Sequence, residues 1–401
     1  MKRKLATRGG RGQRVILAYS GGLDTSVCIR WLTEAGWRVI AFCADVGQEE
    51  DFKPVKERAL ACGAEKVIVQ DLKRPFVQEY ILPALKAGAV YEGKYLLATA
   101  LSRPLIAKAL AQAARTEKAT AVAHGCTGKG NDQVRIEVSL KILEPRLKIL
   151  APVRDWTLKS RQEEVAYALK RGLPIESKRK SRFSIDQNLW GVSIESGPLE
   201  DPWVEPPQEA FLWTRDPSKA PAKPLILQVE FKKGVPVKLN GIPQPLGPLI
   251  RKLNRWGAQH GVGRTDLMED RLVGIKSREV YEAPAATILH AAHRELEQLT
   301  LDRETLIFKE GVAQRYARMI YDGLWFTPLR QALDAFVEQS QQRVSGTVRI
   351  KLFKGNCVPV GRRSAFSRYQ RNLATYAGKD RFDQRAAAGF ITLWGLPYTQ
   401  K

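Results

Sequence analysis

Between residues 14 and 172 one pattern repeats: a short apolar run, a turn, then apolar positions at helical spacing. The runs RVILAYS (14–20), RVIAFCADVG (38–47), EKVIVQDL (65–72), TAVAHG (120–125) and LKILAPV (147–153) are apolar along their length and predict buried strands. The segments between them, 24–36, 55–63, 75–88, 103–119 and 133–143, carry the helical spacing; the third is expected to kink at Pro83. A further helix, 160–172, opens with Ser160 and Glu163, the pattern of a capping box. Strands without polar alternation, each followed by a helix, predict a doubly wound parallel sheet covered on both faces.

The pattern changes after residue 175. The stretch ESKRKSRFSIDQN is basic and polar, and residues 198–224 hold seven prolines, which predicts an extended loop. LILQVEFKKGVPVKLNG (225–241) and GTVRIKLFKGNCVPVG (346–361) alternate around turns and read as hairpins. Helical spacing occupies 283–299, 302–323 and 328–342, and DQRAAAGFITLWG is a helix candidate in a weakly patterned C-terminus. The expected organisation is a disordered basic lead-in (1–13), an α/β domain (14–175), an α+β domain (176–365) and a tail (366–401) that packs on another subunit.

Composition narrows the class. Hydrophobic residues make up 44% and charged residues 27% of the 401, as in a globular soluble chain, and no apolar run reaches the length of a membrane helix. The five cysteines are scattered and contain no C-x-x-C pair, which argues against a disulfide framework or zinc site and for a reducing cytoplasm. The net charge of +23 raises the question of a nucleic-acid partner. Much of the excess sits in presumed tails and loops: residues 1–14 and 170–182 each hold six Lys or Arg. A solvated basic surface is therefore expected, and nucleic acid is not.

The chemistry begins at AYSGGLDTS, Ala18 to Ser26. It joins the first strand to the first helix, at the carboxyl edge where open α/β sheets bind ligands. Its glycines allow close backbone approach, and helix N–H groups favour an anion. Ser20, Thr25 and Ser26 add hydroxyls, whereas Asp24 suits an anion site only if Mg²⁺ lies between the two. The spacing is neither G-x-x-x-x-G-K-[ST] nor G-x-G-x-x-G, so Walker and dinucleotide sites are unsupported. A plain turn capped by Asp24 or Ser20 is the alternative.

S-G-G-x-D-[ST]-S after a first strand resembles the pyrophosphate loop of the N-type ATP pyrophosphatases. FCADVGQ (42–48), GAVYEGKYLLATALSRPLIAK (88–108), AHGCTGKGNDQVR (123–135), FSIDQNLWGVSIESGPLEDPW (183–203), HGVGRTDLMEDRLVGIKSREVYEAP (260–284) and LTLDRE (299–304) follow. In this order they resemble the argininosuccinate synthetase family, from about Arg14 to about Gly361. The resemblance implies an ATP-dependent ligation of citrulline and aspartate through citrullyl-AMP, with Mg²⁺, in a cytoplasmic homotetramer of arginine biosynthesis. It implies ATP contacts from Ala18, Tyr19, Ser20, Gly21, Gly22, Leu23, Asp24, Thr25, Ser26, Ala44 and Gly125. Thr127, Asn131 and Asp132 fall on aspartate positions. Tyr95, Asn131, Arg135, Ser184, Ser193, Glu269 and Tyr281 fall on citrulline positions, Arg135 suiting the carboxylate and Glu269 the ammonium. Asp24, Asp132 and Arg135 are the catalytic candidates, with Asp132 expected to help the aspartate amine lose its proton. No protein-only metal site is expected; Mg²⁺ would come with ATP, near Asp24. The family reads G-T-S before A-R-P where this chain has ATALSRP, so Ala100 replaces a serine expected to touch citrulline.

Other residues have plainer readings. His290 and His293 are expected to be a surface or packed pair, His124 a satisfied loop residue, Cys126 filler, and Trp31, Trp37 and Trp325 packing. Lys129 is expected to meet a substrate carboxylate or phosphate. The rival functions are a tRNA-modifying ATP pyrophosphatase and a non-catalytic nucleotide-binding protein. No cysteine pair is placed for the sulfur transfer that many of the former perform.

Overall fold

The computed structural model describes residues 10, 12–174, 182–377 and 381–399, so most of the presumed lead-in and of the basic stretch after 174 lies outside the described residues. Five strands, β1 (Arg14–Ala18), β2 (Arg38–Asp45), β3 (Lys66–Asp71), β4 (Ala121–Ala123) and β5 (Lys148–Leu150), form a parallel sheet in the order β3-β2-β1-β4-β5. The α/β expectation is met, and the order reverses between β1 and β4. That is the switch point, where a crevice opens beyond the strand ends.

The alternation along β1 shows why the strands are apolar throughout. Ile16 faces one core with the helices Ala98–Thr116 and Asp132–Leu143. Val15 and Leu17 face the other, with the helices Leu23–Glu34 and Phe52–Ala61. Ile16 and Leu17 are fully buried, so truncating either to alanine costs about 2–5 kcal/mol.

Two element ends differ from expectation. The strand expected over 147–153 stops at Leu150, because Pro152 has no N–H for the ladder and instead starts the helix Pro152–Asp155. The helix expected to kink at Pro83 departs from regularity earlier, in a π-helical turn over Phe76–Ile81 that re-forms an α-helix at Leu82–Ala87. The capping box at Ser160 is half made: Ser160 accepts from the Glu163 N–H, whereas the Glu163 carboxylate accepts from Lys159 N.

The rest of the chain builds two antiparallel sheets. One, ordered β11-β12-β7-β6, comprises β6 (Ser184–Asn188), β7 (Gly191–Glu195), β11 (Arg264–Asp270) and β12 (Lys276–Glu282). The other, ordered β10-β9-β8-β13-β14, comprises β8 (Leu225–Lys232), β9 (Val235–Leu239), β10 (Ile242–Pro243), β13 (Gly346–Phe353) and β14 (Asn356–Arg363). The expected hairpins are β8–β9 and β13–β14, and the three expected helices appear as Pro284–Thr300, Arg303–Tyr321 and Pro328–Ser340. The hairpins β6–β7 and β11–β12 and the helix Leu246–Gln259 were not legible in the pattern. The proline-rich stretch is extended, with three short 3₁₀ turns, and is held by Glu282. That fully buried carboxylate accepts from the backbone N–H groups of Leu212, Trp213 and Thr214 and from the Thr214 hydroxyl. The core on the Ile16 face runs without a break into Leu227, Val229 and Ile350 of the second sheet, which fixes both units around the crevice. In the tail, the helix Ala386–Thr399 leaves Phe390, Ile391, Leu393 and Trp394 exposed.

Candidate functional site

The glycine loop leaves β1 at the switch point and enters the helix Leu23–Glu34 through Gly22, which has no side chain to cap the helix and whose own N–H donates to Ser20 Oγ at 3.4 Å. Of the alternative, the Ser20 contact is present and an Asp24 cap is not. Ser20 and Thr25 bond each other at 3.2 Å, and Tyr19 bonds Ser26 at 3.1 Å. Arg58 clamps the loop through the Gly21 carbonyl at 2.6 Å. The leading N–H groups of the helix are therefore left for an anion in a loop whose shape is already set. Gly125, after β4, lies so close that a Cβ there would meet Thr25 Cγ2 at 2.9 Å. Ala44 lies at the carboxyl end of β2, its carbonyl accepting from Gln48 Nε2 at 2.9 Å.

Asp24 is half-buried and lies near Glu164 of the helix Arg161–Lys170, close enough for its charge to act on that carboxyl. Burial, and then the Asp24 charge, push the Glu164 carboxyl up to about 8. Among the described residues no group of three or more His, Cys, Asp or Glu could hold a metal ion. Two neighbouring carboxyls beside an anion loop do suit a Mg²⁺ that arrives with phosphates, since that ion commonly takes one or two protein carboxylates.

The second half of the crevice is built by the loop after β4, the helix it enters, and strands β6, β7, β11 and β12. Asn131 is buried; its Nδ2 donates to the Tyr321 hydroxyl at 2.7 Å and its Oδ1 accepts from Leu272 N at 2.9 Å. Asp132 is held between Arg103 Nη2 at 2.7 Å and Arg135 Nη1 at 2.8 Å. Burial would raise its carboxyl, but the two guanidinium groups overcome this and hold it at about 2. A carboxylate so strongly paired is a fixed anion, a poor proton acceptor near neutrality, and this environment speaks against the expected proton-abstracting role. Arg103 also pairs with Asp186 on β6, tying the helix Ala98–Thr116 to the antiparallel sheet. Arg135 is buried, donates from Nε to the Tyr321 carbonyl at 2.8 Å and lies over the Tyr321 ring. Its Nη2 makes no hydrogen bond among the described residues. The close approach needs Gly323, at φ +75°, where a Cβ would meet Arg135 Cα at 2.7 Å.

Glu269 is 2% exposed. Its two oxygens accept from the hydroxyls of Tyr281 at 2.5 Å and Tyr321 at 2.8 Å. Tyr95 stacks on Tyr281 with ring centroids 4.1 Å apart, and its hydroxyl accepts from the N–H groups of Thr99 and Ala100, which start a helix lacking a side-chain cap. Ser193 sits opposite Tyr281 across β7 and β12 and bonds the Thr99 hydroxyl at 2.7 Å. Tyr95, Asn131, Arg135, Ser193, Glu269 and Tyr281 thus form one cluster, while Ser184, at the exposed start of β6, and Thr127, in an exposed loop, stand outside its bonded network. Lys129 is exposed, with its carbonyl held by Arg271.

His124, His290 and His293 have structural partners. His124 is fully buried and donates from Nε2 to Glu137 while Nδ1 accepts from Cys126 N. His290 and His293 are packed, His293 against Gln341 at 2.8 Å. Burial pushes the Cys126 thiol up to about 12, which leaves it inert. Sequence reasoning missed Arg103, Tyr321, Arg271 and Glu279 as members of the cluster.

Two family models divide the chain at the same place as the texture change. One, described as the arginosuccinate synthase N-terminal HUP domain, matches residues 14–174, and the other, the arginosuccinate synthase C-terminal domain, matches 183–401. The chain belongs to the argininosuccinate synthase family. Curated members include the argininosuccinate synthases of Pelotomaculum thermopropionicum, 55% identical over 96% of both chains, and of Geobacillus kaustophilus, 57% identical over 96% of this chain and 94% of that one. A solved Methanocaldococcus jannaschii protein, described as a predicted subunit of a tRNA methyltransferase, aligns at 16% identity over 39% of this chain with a TM-score of 0.28, too slight a likeness to bear on function. Membership makes the chain an enzyme of the ligase type. Among the described residues no helix is long and apolar enough to cross a membrane.

Proposed function

We propose that the crevice joins citrulline to aspartate at the expense of ATP, forming argininosuccinate, AMP and pyrophosphate. The observation that carries this reading is the convergence of two kinds of site on one switch point. A glycine loop at β1, leading into a helix whose N-cap residue has no side chain, suits a leaving pyrophosphate. Facing it, a cluster with a buried Glu269 and a buried Arg135 suits a zwitterionic amino acid.

In this reading the ureido oxygen of citrulline attacks the α-phosphorus of ATP, and the bond to pyrophosphate breaks. The amine of aspartate then attacks the ureido carbon, and AMP departs with the ureido oxygen. The chain's part is positioning and charge stabilisation. The loop Ser20–Ser26 holds the departing pyrophosphate through N–H and hydroxyl donors. Arg135 takes the citrulline carboxylate and Glu269 the ammonium, with Tyr95, Ser193 and Tyr281 packing around them. Asn131 and Thr127 are placed to meet aspartate, and Asp132 keeps Arg135 in position. Asp24 and Glu164 would hold the Mg²⁺ that accompanies the nucleotide and supplies charge neutralisation at the phosphates. An Asp24→Asn enzyme is expected to need more Mg²⁺ for half-maximal rate.

A cytoplasmic homotetramer is part of the same reading, with the exposed apolar face of Ala386–Thr399 covered by other subunits. The test of the chemistry is isotopic. Citrulline labelled with ¹⁸O in the ureido group should deliver the label to the phosphate of AMP. Unlabelled AMP formed alongside argininosuccinate would overturn the adenylation route.

A further inference from the structure

One hydroxyl in the amino-acid pocket touches two carboxyl groups. Tyr281 Oη lies 2.5 Å from Glu269 Oε2 and 2.9 Å from Glu279 Oε2. A phenol carries a single proton and can donate to only one of them. Glu269 has the stronger claim, because its other oxygen already accepts from Tyr321 at 2.8 Å, so both its oxygens are met as an ionised carboxylate requires. The contact from Glu279 then needs a proton of its own. The two carboxyls also lie near enough for the Glu269 charge to act on Glu279.

The charges around the pair do not remove the need for that proton. From β11 comes Glu269 itself. From the β11–β12 turn comes Arg271, whose Nη2 bonds Glu279 Oε1 at 2.9 Å but is shared with Glu195 on β7. The helix Arg303–Tyr321 contributes Tyr321, which is neutral, and the loop before the helix Ala98–Thr116 contributes Tyr95, also neutral. Arg135 faces the group from the helix Asp132–Leu143, but its charge is matched by Asp132. Lys276 and Arg278 turn away to Asp270 and Asp266. One cation, Arg271, thus serves Glu195 and Glu279 while Glu269 stands buried beside them, a net negative charge in a largely buried site.

We propose that Glu269 and Glu279 together form the ammonium seat, that they hold one proton between them when empty, and that the ammonium of the amino-acid substrate displaces it on binding. Glu279 is then a second substrate-binding carboxylate, and substrate binding is coupled to release of a proton from its carboxyl to solvent. The ammonium stands in for the proton, so the pair goes from one negative charge to two as a cation arrives, and the site stays balanced. Burial, with Glu269 next, pushes Glu279 up to about 7, so the coupling falls in the neutral range. This rests on the citrulline reading above.

The test is calorimetry of citrulline binding to the full chain with α,β-methylene-ATP present, in buffers of different ionisation enthalpy. Close to one proton should be released at about pH 6 and almost none at about pH 8, with Kd falling about tenfold per pH unit below about 7 and levelling above it. Glu279→Gln should release no proton and bind with a flat pH profile; Glu279→Ala should do the same if the glutamine is accommodated badly. Citrulline binding to the unmutated chain at about pH 6 without proton release would overturn the proposal and leave the citrulline reading intact. Retention of the full pH dependence in both variants would do the same. Absence of citrulline binding at every pH would instead bring down the reading of the pocket, and this inference with it.

Discussion

Arg103 donates to Asp132 at 2.7 Å across the crevice wall, and the same guanidinium reaches Asp186 on β6. One part-buried cation therefore joins the nucleotide-binding half to the antiparallel sheet that carries the amino-acid pocket. Removing it takes charge-assisted hydrogen bonds from two part-buried carboxylates, which costs about 1.5–3 kcal/mol. Arg103→Met is expected to raise KM for aspartate and citrulline together by at least about tenfold and to lower stability by that order. Steady-state kinetics in both substrates, with denaturant unfolding, would check it. A change confined to one substrate would show that the link between the halves is not transmitted.

Asp132 yields a second prediction. Held at about 2 by two arginines, it is ionised throughout the working range. Asp132→Asn should raise KM by misplacing Arg135, yet leave the shape of the pH–rate profile between about pH 6 and 9 unchanged. Loss of an acidic limb in the variant would restore Asp132 as a base.

Thr99 bears on the serine missing at position 100. Its hydroxyl lies 2.7 Å from Ser193, inside the pocket cluster, while Ala100 is fully buried beside it. A hydrogen bond to a charged group is worth about 1.5–3 kcal/mol. Thr99→Val should therefore raise citrulline KM about tenfold or more, and adding Ala100→Ser should recover part of the loss. In the unmutated background Ala100→Ser should lower citrulline KM; if it does not, Thr99 already supplies the contact. Circular dichroism on each variant separates this from misfolding.

The legible part of the fold was the part made by uniform rules. β1 and β2 are apolar because both faces are buried, and the loop after β1 showed itself through two glycines and clustered hydroxyls. The hairpin β11–β12, RTDLMED and KSREVYE, is polar because it lines a site, so apolar alternation could not reveal it. The helix Leu246–Gln259 was missed although amphipathic, since a glycine and a proline stand in its first turn where they are tolerated. Arg103 and Tyr321 were invisible for another reason. Each looks like an ordinary helical residue, and only the packing of distant elements makes them partners of Asp132, Asn131 and Glu269.

Asp24 and Glu164 make a pH prediction with a definite sign. A carboxyl whose folded pKa is raised, here to about 8, binds its proton more tightly folded than unfolded. The resulting stability is present below the unfolded value of about 4.3 and is lost as pH rises through about 8. Glu164→Gln keeps a neutral partner for Asp24 at every pH. Its melting temperature should match that of the unmutated chain near pH 4 and exceed it by a margin that grows up to about pH 8; an equal offset at both ends would show that the pair does not titrate.

Pyrophosphate release tests the proposed chemistry most directly. With ATP and Mg²⁺ alone the chain should release almost none. Citrulline should bring about one equivalent per site, and aspartate should then turn this into continuous release matched by AMP and argininosuccinate. Continuous pyrophosphate release indifferent to both amino acids would contradict it.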